Sequence, residues 1–272
     1  MTTPSPHQDE PITEQMQERV EGVVKQAQEE VVRSHEPWYR VSRRAIALII
    51  AYMIVFVLFL LLAWFVHVHP ILSIDILITR EFQENQAPWL KISMIAISYL
   101  GSNGLIFAAL IFLTALAFWI VRLRLEALLI LVLSVVSNLL NLAIKIIVGR
   151  PRPTSSVVDI ITSASGQSFP SGHVMAYVAF FGLLFSLGLI LFRRDRWWHY
   201  VLLIVPAFFV VMVGPSRIYL GDHWASDVIG GYIFGGLLLA ISLWIYLKLK
   251  QRDILTRPIR HKTILGLKPA KQ

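Results

Sequence analysis

Long uncharged stretches follow one another from about residue 45 onward, separated by short clusters of charge. Several reach the roughly 20 residues that a helix needs to cross about 30 Å of hydrocarbon. The apolar runs are continuous rather than alternating, which favours helices over a membrane β-barrel. The pattern predicts an all-α polytopic membrane protein with six transmembrane helices, at about 45–66, 103–121, 125–148, 172–192, 200–213 and 224–247. The fifth is short for a span, so its start is expected near Trp197.

Two apolar segments do not fit a span. Trp89–Leu100 is too short to cross, which is typical of a re-entrant or interfacial helix. In residues 1–36, apolar side chains recur every three or four positions, which predicts an amphipathic helix ended by Pro37. A helix lying on a surface is the simpler interpretation, but self-association through a short coiled coil stays open.

The chain is therefore expected to have three parts. These are an N-terminal amphipathic helix and linker over 1–40, a six-span domain over 41–250 and a basic tail over 251–272. The first 40 residues are polar and acidic, so no cleavable signal peptide is expected. The tail is expected to lie against anionic lipid headgroups at the membrane surface.

Positive charge at the span ends predicts the orientation in the membrane. With six spans, four basic clusters fall on one side, which the positive-inside rule assigns to the cytoplasm. The clusters are Arg40, Arg43 and Arg44; Arg122 and Arg124; Arg193, Arg194 and Arg196; and Lys248, Lys250 and Arg252. Both termini of this multi-pass cell-membrane protein are then cytoplasmic. The net charge of +8 is explained as a topology signal, so no nucleic-acid partner is expected.

The third predicted span carries a polar stripe on one face, because its members are spaced by four, three and four residues. They are Ser134, Asn138, Asn141 and Lys145. Taken alone, Lys145 could instead extend to the outer headgroups. Arg150 and Arg152 follow, each preceding a proline, and the prolines end the helix. Cations on this side break the positive-inside trend, and an anionic ligand is the simplest reason.

A second motif, Pro170-Ser171-Gly172-His173, opens the fourth span. Proline and serine are ordinary helix-start residues, so capping explains much of it. Capping does not explain a titratable histidine at the mouth of an apolar helix. A helix start also presents free N–H groups and a positive dipole end, which favour anion binding.

A third motif runs from Ser216-Arg217 to His223 and Asp227. The last two lie at i and i+4, so they share a helix face, and a carboxylate there fixes the imidazole tautomer. Taken alone, the pair could be a chance feature of a helix start. Together the motifs supply cations, N–H donors, a nucleophile with its orienting group and a separate acid, as phosphoryl transfer requires. No metal-binding carboxylate cluster is visible and the chain has no cysteine, so no metal or other cofactor is expected.

These motifs resemble the signature of the type 2 phosphatidic acid phosphatase (PAP2) superfamily, which includes vanadium-dependent haloperoxidases and bacterial acid phosphatases. The signature is Lys, six residues, Arg-Pro; then Pro-Ser-Gly-His; then Ser-Arg, five residues, His, three residues, Asp. The chain matches all three in order and at full spacing, from Lys145 to Asp227. The resemblance covers the first span to the sixth and leaves out both tails.

The resemblance implies a role for each matching residue. His223 would be the nucleophile that forms a phosphohistidine, Asp227 would orient it, and His173 would protonate the leaving oxygen and later activate water. The phosphate oxygens would be held by Lys145, Arg152, Arg217, Ser171 and the Gly172 amide.

Three neighbouring residues are second-rank candidates. Ser216 belongs to the signature without a stated role, and Arg150 lies outside it. Asp222, beside the nucleophile, could raise the pKa of His223 or select a substrate with a cationic part, but it is expected to face solvent.

The resemblance further implies a membrane phosphatase or diphosphatase acting on a lipid phosphate at the outer surface. In a bacterium the candidate substrates are undecaprenyl diphosphate, phosphatidylglycerophosphate and phosphatidic acid. An outward-facing site favours the prenyl diphosphate slightly. The alternatives are a lipid phosphotransferase using the same intermediate, a haloperoxidase, and a non-catalytic lipid binder or transporter, which would need the cations but neither histidine.

Overall fold

The computed structural model describes residues 38–192 and 197–251, with side chains from Ala45 onward. By its internal contacts the chain divides into two units, Met1–Met53 and Ile54–Gln272, and all three sequence motifs lie in the second unit. The predicted N-terminal amphipathic helix, the basic tail and the Arg193–Arg196 cluster lie outside the described residues.

The described residues form helices and no strand, which confirms the all-α prediction. The helices are α1 (Trp38–Val68), α2 (Ser73–Gln83), α3 (Pro88–Ser102), α4 (Gly104–Ile120), α5 (Arg124–Val148), α6 (Gly172–Leu191), α7 (Trp197–Tyr219) and α8 (Ala225–Gln251). Helix α6 contains one π-helical turn, at Val178–Gly182.

Five of these helices are each long and apolar enough to cross a membrane: α1, from Ala45 onward, and α5 to α8. Helix α4 has 17 residues and meets α3 at an angle of 70°. The two are long and apolar enough to cross a membrane only when they are taken together as one bent pair. The Asn103 side chain accepts from the Ile106 N–H and caps α4 at this bend. The described residues therefore contain five spans, or six if the bent pair is one span, where the sequence predicted six separate ones.

The predicted end of the fifth span, at Val213, was wrong. Helix α7 continues to Tyr219 through two internal prolines, so Ser216 and Arg217 lie in its last turns rather than in a loop. The helix continues because its polar residues find partners while buried. The Ser216 hydroxyl donates to the Val213 carbonyl, and Arg217 pairs with Asp222 just beyond the helix.

Helix α2 lies between the first predicted span and the Trp89–Leu100 segment, where the sequence predicted no helix. Its buried side is polar and consists of Asp75, Thr79 and Gln83, spaced by one helical turn. The Gln83 amide donates to the Asp159 and Tyr219 carbonyls and accepts from the Asp159 N–H. These contacts attach α2 to the end of the bundle where the three sequence motifs converge.

Helix α6 is the most buried of the candidate spans and packs against α3, α5, α7 and α8. Close packing on α8 depends on glycine residues. A Cβ on Gly230 would lie 2.4 Å from the Phe169 ring, and one on Gly231 would lie 2.9 Å from Val174. Gly236 differs, because a Cβ there would meet nothing within 4 Å. This packing brings the first turn of α6 against the first turn of α8.

Candidate active site

The three sequence motifs meet at one end of the bundle. Helix α5 ends, α6 begins, α7 ends and α8 begins there, so residues far apart in the chain become neighbours. They surround a cavity of about 580 Å³. Of the predicted site residues, the cavity is lined by Lys145, Arg152, Gly172, His173, Arg217 and His223.

His223 is buried, with its two ring nitrogens in different surroundings. Its Nδ1 lies 3.3 Å from the Ser168 hydroxyl and 3.5 Å from Asp227 Oδ2. Ser168 donates its own proton to Asp227 Oδ2, so it can accept one from Nδ1. This pattern assigns the proton to Nδ1 and leaves the lone pair on Nε2, at the cavity.

Asp227 is held on both carboxylate oxygens. Oδ2 accepts from the Trp224 N–H at 2.9 Å as well as from Ser168, and Oδ1 accepts from Arg150 at 2.6 Å. A carboxylate with this many donors stays in one orientation, which is what an orienting partner of an imidazole requires.

The surroundings of His223 favour its neutral form. Burial lowers its pKa well below the usual value near 6.5, and the positive charges of Arg217, Arg152 and Lys145 lower it further. A neutral imidazole keeps the Nε2 lone pair available, so this electrostatic environment suits a nucleophile.

Cationic side chains line the same cavity. Arg152 Nη1 lies 3.3 Å from His223 Nε2 and donates to the Asp222 carbonyl at 2.6 Å. Lys145 Nζ donates to the Gln167 and Ser168 carbonyls, at 2.5 and 3.2 Å. Burial lowers the pKa of the Arg152 guanidinium, which still remains charged at neutral pH.

Arg217 approaches from α7 and is almost fully buried. Its Nη2 pairs with Asp222 Oδ2 at 2.8 Å and its Nη1 donates to the Ser98 hydroxyl on α3. Its Nε has no hydrogen-bond partner among the described residues. Arg217, Arg152 and Lys145 thus concentrate positive charge around His223, which suits a phosphate group.

His173 lies on the cavity wall in the first turn of α6. Its Nε2 is 3.0 Å from the Ser102 hydroxyl at the end of α3. Gly101 lies against the ring, since a Cβ there would be 2.5 Å from His173 Cδ2. The position of this histidine therefore depends on the bend between α3 and α4.

Ser171 and Gly172 connect the two histidines. The Ser171 N–H donates to the Asp227 carbonyl at 3.0 Å, and its buried hydroxyl has no partner among the described residues. Gly172 lies close to Asn141, whose side-chain oxygen would be 2.9 Å from a Cβ at that position. The Asn141 amide also donates to the Pro170 carbonyl, which fixes the start of α6 against the polar stripe of α5.

The second-rank candidates lie around the cavity rather than on it. The expectation that Asp222 faces solvent was wrong: it is 3% exposed, because it accepts from Arg217 and from the Thr162 hydroxyl at 2.6 Å. Arg150 is buried behind Asp227 and is not among the residues that line the cavity. Ser216 is also buried, with its hydroxyl bound to its own helix.

Four polar residues of the site were missed at the sequence level: Asp75, Ser98, Ser102 and Ser168. The first three lie on helices that the sequence interpretation left out of the site. A signal for α2 existed in the recurrence of Asp75, Thr79 and Gln83 every four residues. Among the described residues, no group of three or more histidine, aspartate or glutamate side chains is arranged to hold a metal ion.

Comparisons with known proteins show which family the chain belongs to. The model of the PAP2 superfamily matches residues 125–251. Phosphatidylglycerophosphatase B of Bacillus subtilis (strain 168) is 30% identical over 185 residues, covering 67% of this chain and 88% of that protein. The chain belongs to the PAP2 superfamily. The resemblance found in the sequence motifs is therefore confirmed.

Two further relatives show how far the similarity extends. The crystal structure of a transmembrane PAP2-type phosphatidylglycerolphosphate phosphatase from Bacillus subtilis superimposes with a TM-score of 0.63 at 28% identity, covering 74% of this chain and 98% of that one. The undecaprenyl-diphosphatase of Sulfolobus acidocaldarius is 35% identical over 79 residues, which is 29% of this chain and 33% of that protein. The similarity supports a membrane phosphatase.

Proposed function

We propose that this chain is an integral membrane phosphatase that hydrolyses a lipid phosphate through a phosphohistidine on His223. The observation that carries the proposal is the placement of His223 Nε2 at a cavity that Lys145, Arg152 and Arg217 also line. Nδ1 is bound on the far side of the ring, so the attacking nitrogen faces the place where a phosphate would lie.

The reaction divides into two transfers of the phosphoryl group. In the first, His223 Nε2 forms a bond to phosphorus while the bond to the lipid oxygen breaks and His173 donates a proton to that oxygen. In the second, His173 takes a proton from water, the water oxygen attacks phosphorus, and the bond to His223 breaks to release inorganic phosphate. Lys145, Arg152 and Arg217 stabilise the negative oxygens in both steps. Since these side chains supply the positive charge, we propose that the reaction needs no metal.

The apolar part of the cavity supports a lipid as the substrate. Beyond the cations, the wall is formed by apolar side chains of α4 and α5: Phe107, Ala108, Ile111, Phe112, Leu131 and Val135. A phosphorylated headgroup bound by Arg152 would leave its hydrocarbon chain beside these residues. A small water-soluble phosphate ester would leave them uncovered, at a cost in apolar surface exposed to water.

Phosphatidylglycerophosphate is the proposed first substrate to test. One relative of this chain is a phosphatidylglycerophosphatase, and the similarity to it extends over 88% of that protein's length. Undecaprenyl diphosphate, which the expected orientation favours, is the second candidate. The similarity to an undecaprenyl-diphosphatase covers a smaller part of the chain.

The cavity is proposed to open on the extracytoplasmic side, with both termini in the cytoplasm. Helix α5 begins at Arg124, within a basic cluster, and ends beside the cavity near Lys145. Lys248 and Lys250 lie in the last turn of α8, at the end opposite Asp227. The positive-inside rule assigns both basic ends to the cytoplasm.

Phosphate release by purified protein tests the activity. Detergent-solubilised protein would receive phosphatidylglycerophosphate, undecaprenyl diphosphate and phosphatidic acid in parallel, with EDTA present. We expect release by wild type and by His69→Ala, a control for the loss of an exposed histidine, and none by His223→Ala. Equal release by His223→Ala would contradict the mechanism. An added alcohol that captured the phosphate in place of water would identify a phosphotransferase instead.

Labelling with an impermeant thiol reagent tests the orientation. The chain has no cysteine, so a single introduced one reports its own side. Ser156 and Gln251 are exposed near opposite ends of the bundle. We expect Ser156→Cys to react in intact cells and Gln251→Cys to react only after lysis. The reverse pattern would overturn the proposed orientation.

A further inference from the structure

Three buried charges lie in a row behind the proposed nucleophile. Arg150 Nη2 binds Asp75 Oδ2 at 2.8 Å, and Arg150 Nη1 binds Asp227 Oδ1 at 2.6 Å. The third nitrogen, Nε, binds the Pro70 carbonyl at 2.9 Å. Arg150 is thus held from both sides by carboxylates, and one of these is the group that orients His223.

Ser226 closes this cluster into a network. Its hydroxyl donates to Asp75 Oδ2 at 2.6 Å and accepts from Arg150 Nη1 at 2.7 Å, and its N–H donates to Asp75 Oδ1 at 2.9 Å. Both oxygens of Asp75 are therefore occupied. The first turn of α2 is joined in this way to the first turn of α8, one residue before Asp227.

This network cannot touch a substrate. Asp75 and Arg150 are each 1% exposed, Ser226 is 7% exposed, and none of the three lines the cavity. Burying charges costs desolvation energy that pairing often only offsets, so fold stability alone is a weak reason for such a cluster. The network reaches the reacting atoms through Asp227, whose other oxygen faces His223 Nδ1.

We propose that Asp75, acting through Arg150, is a positioning residue for the nucleophile. Asp75 holds the guanidinium in place so that Asp227 keeps Oδ2 directed at His223 Nδ1. It also shares the positive charge of Arg150. Asp227 therefore retains enough negative charge to stabilise the imidazole ring, which becomes more positive as Nε2 bonds to phosphorus. This role rests on the proposed function and adds to it a residue outside the three motifs.

The test compares Asp75→Asn with wild type, Asp75→Glu and Glu126→Gln. The control removes the charge of Glu126, another buried carboxylate, which binds Tyr246 at 2.7 Å and Lys250 at 3.3 Å. Glu126 lies at the other end of α5 from Lys145, roughly 28 Å away at 1.5 Å per residue. Each variant would be assayed for steady-state turnover, for the rate of His223 phosphorylation in a single turnover, and for thermal unfolding in detergent.

We expect Asp75→Asn to lower kcat and the phosphorylation rate by roughly 10- to 100-fold, the range seen when groups that orient metal-binding histidines from behind are removed. KM should change by less than about twofold, because the phosphate-binding residues are untouched. Asp75→Glu should recover part of the rate, and Glu126→Gln should phosphorylate His223 at the wild-type rate.

If Asp75→Asn folds, two results would overturn the role of Asp75. One is an Asp75→Asn protein in which His223 becomes phosphorylated as fast as in an active wild type. The other is an equal loss of rate in Glu126→Gln, which would make the effect a general one of buried charge. If Asp75→Asn does not fold, Ser226→Ala is the second variant, because it removes only one hydroxyl from the same network. It should slow phosphorylation at least about threefold. An unchanged rate would also overturn the role. A wild type that releases no phosphate overturns the proposed function and this role with it.

Discussion

The two histidines of the site are held in contrasting ways. His223 is buried, and its Nδ1 lies within 3.5 Å of both Ser168 and Asp227, with the Arg150 network behind them. His173 is only partly buried, and Ser102 is the hydrogen-bond partner that the structure gives its ring. The proposed nucleophile, His223, is fixed by a layered polar network, while the proposed acid, His173, depends on one hydroxyl and on close packing.

Separate helices outside the motifs therefore serve each half of the site. Helix α2 is joined through Asp75 and Arg150 to Asp227, beside the proposed nucleophile. Helix α3 supports the acid side through Ser102, and it also binds Arg217 through Ser98. The Tyr177 hydroxyl donates to the Ile97 carbonyl at 2.6 Å and attaches α3 to α6. The looser hold on His173 suits its proposed role, in which it first donates and then accepts a proton.

The largest effect should come from the nucleophile side. Asp227→Asn keeps the shape of the side chain but loses the charge that fixes the tautomer of His223. We expect kcat to fall by on the order of 10³- to 10⁴-fold, as for other carboxylates that orient a catalytic imidazole. The fall in kcat is measured as phosphate release from the preferred lipid. A loss of less than tenfold would show that Ser168 alone can orient His223.

A second prediction concerns the packing behind the acid. In Gly101→Ala the new methyl group would lie 2.5 Å from the His173 ring and 2.9 Å from Tyr177. Displacing His173 by about 1 Å should lower kcat roughly 100-fold. Gly236→Ala is the matched control, because a Cβ there meets nothing within 4 Å, and it should keep wild-type activity. Equal activity of both variants would mean that the acid needs no close packing.

A smaller effect is expected at the hydrogen bond itself. Ser102→Ala removes the hydroxyl 3.0 Å from His173 Nε2 but leaves the packing by Gly101 intact. The loss of one hydrogen bond of about 1 kcal/mol should lower kcat by roughly fivefold. If kcat fell as far as in Asp227→Asn, the contrast between the two halves of the site would fail.

The smallest effect should be that of mild acid on the nucleophile. Protonated His223 cannot attack, and burial together with the positive charges of Arg217, Arg152 and Lys145 lowers its pKa below 6.5. Asp227 faces the ring from α8 and opposes this shift. The phosphorylation rate should therefore fall less than about twofold from pH 7 to pH 6, against roughly threefold for an unshifted imidazole.

An aryl phosphate is the substrate for this measurement, because a good leaving group makes the rate independent of protonation of His173. Once the protonation of the aryl phosphate itself is corrected for, a steeper fall between pH 7 and pH 6 would mean that His223 takes up a proton in this range. The proposal that His223 is neutral would then be wrong for mildly acidic conditions.

Local sequence was enough to predict the membrane class, most of the span positions and the residues proposed for the chemistry. Hydropathy is a local property, so a continuous apolar run indicates a helix whatever packs against it. Lys145, His173 and His223 stand out because titratable residues at the ends of apolar helices need a reason. The three motifs could therefore be interpreted together before any contact between them was known.

The other polar residues that support the site became evident only from the packing of the helices. Asp75 meets Ser226 across 151 positions, Arg217 meets Ser98 across 119, and His173 meets Ser102 across 71. No local pattern encodes such pairs, because each depends on how helices cross. Asp222 shows the same limit. The sequence predicted a side chain that faces solvent, whereas its burial follows from its ion pair with Arg217 of α7. Contacts between distant helices, rather than local propensity, set the charge and orientation of the reacting groups.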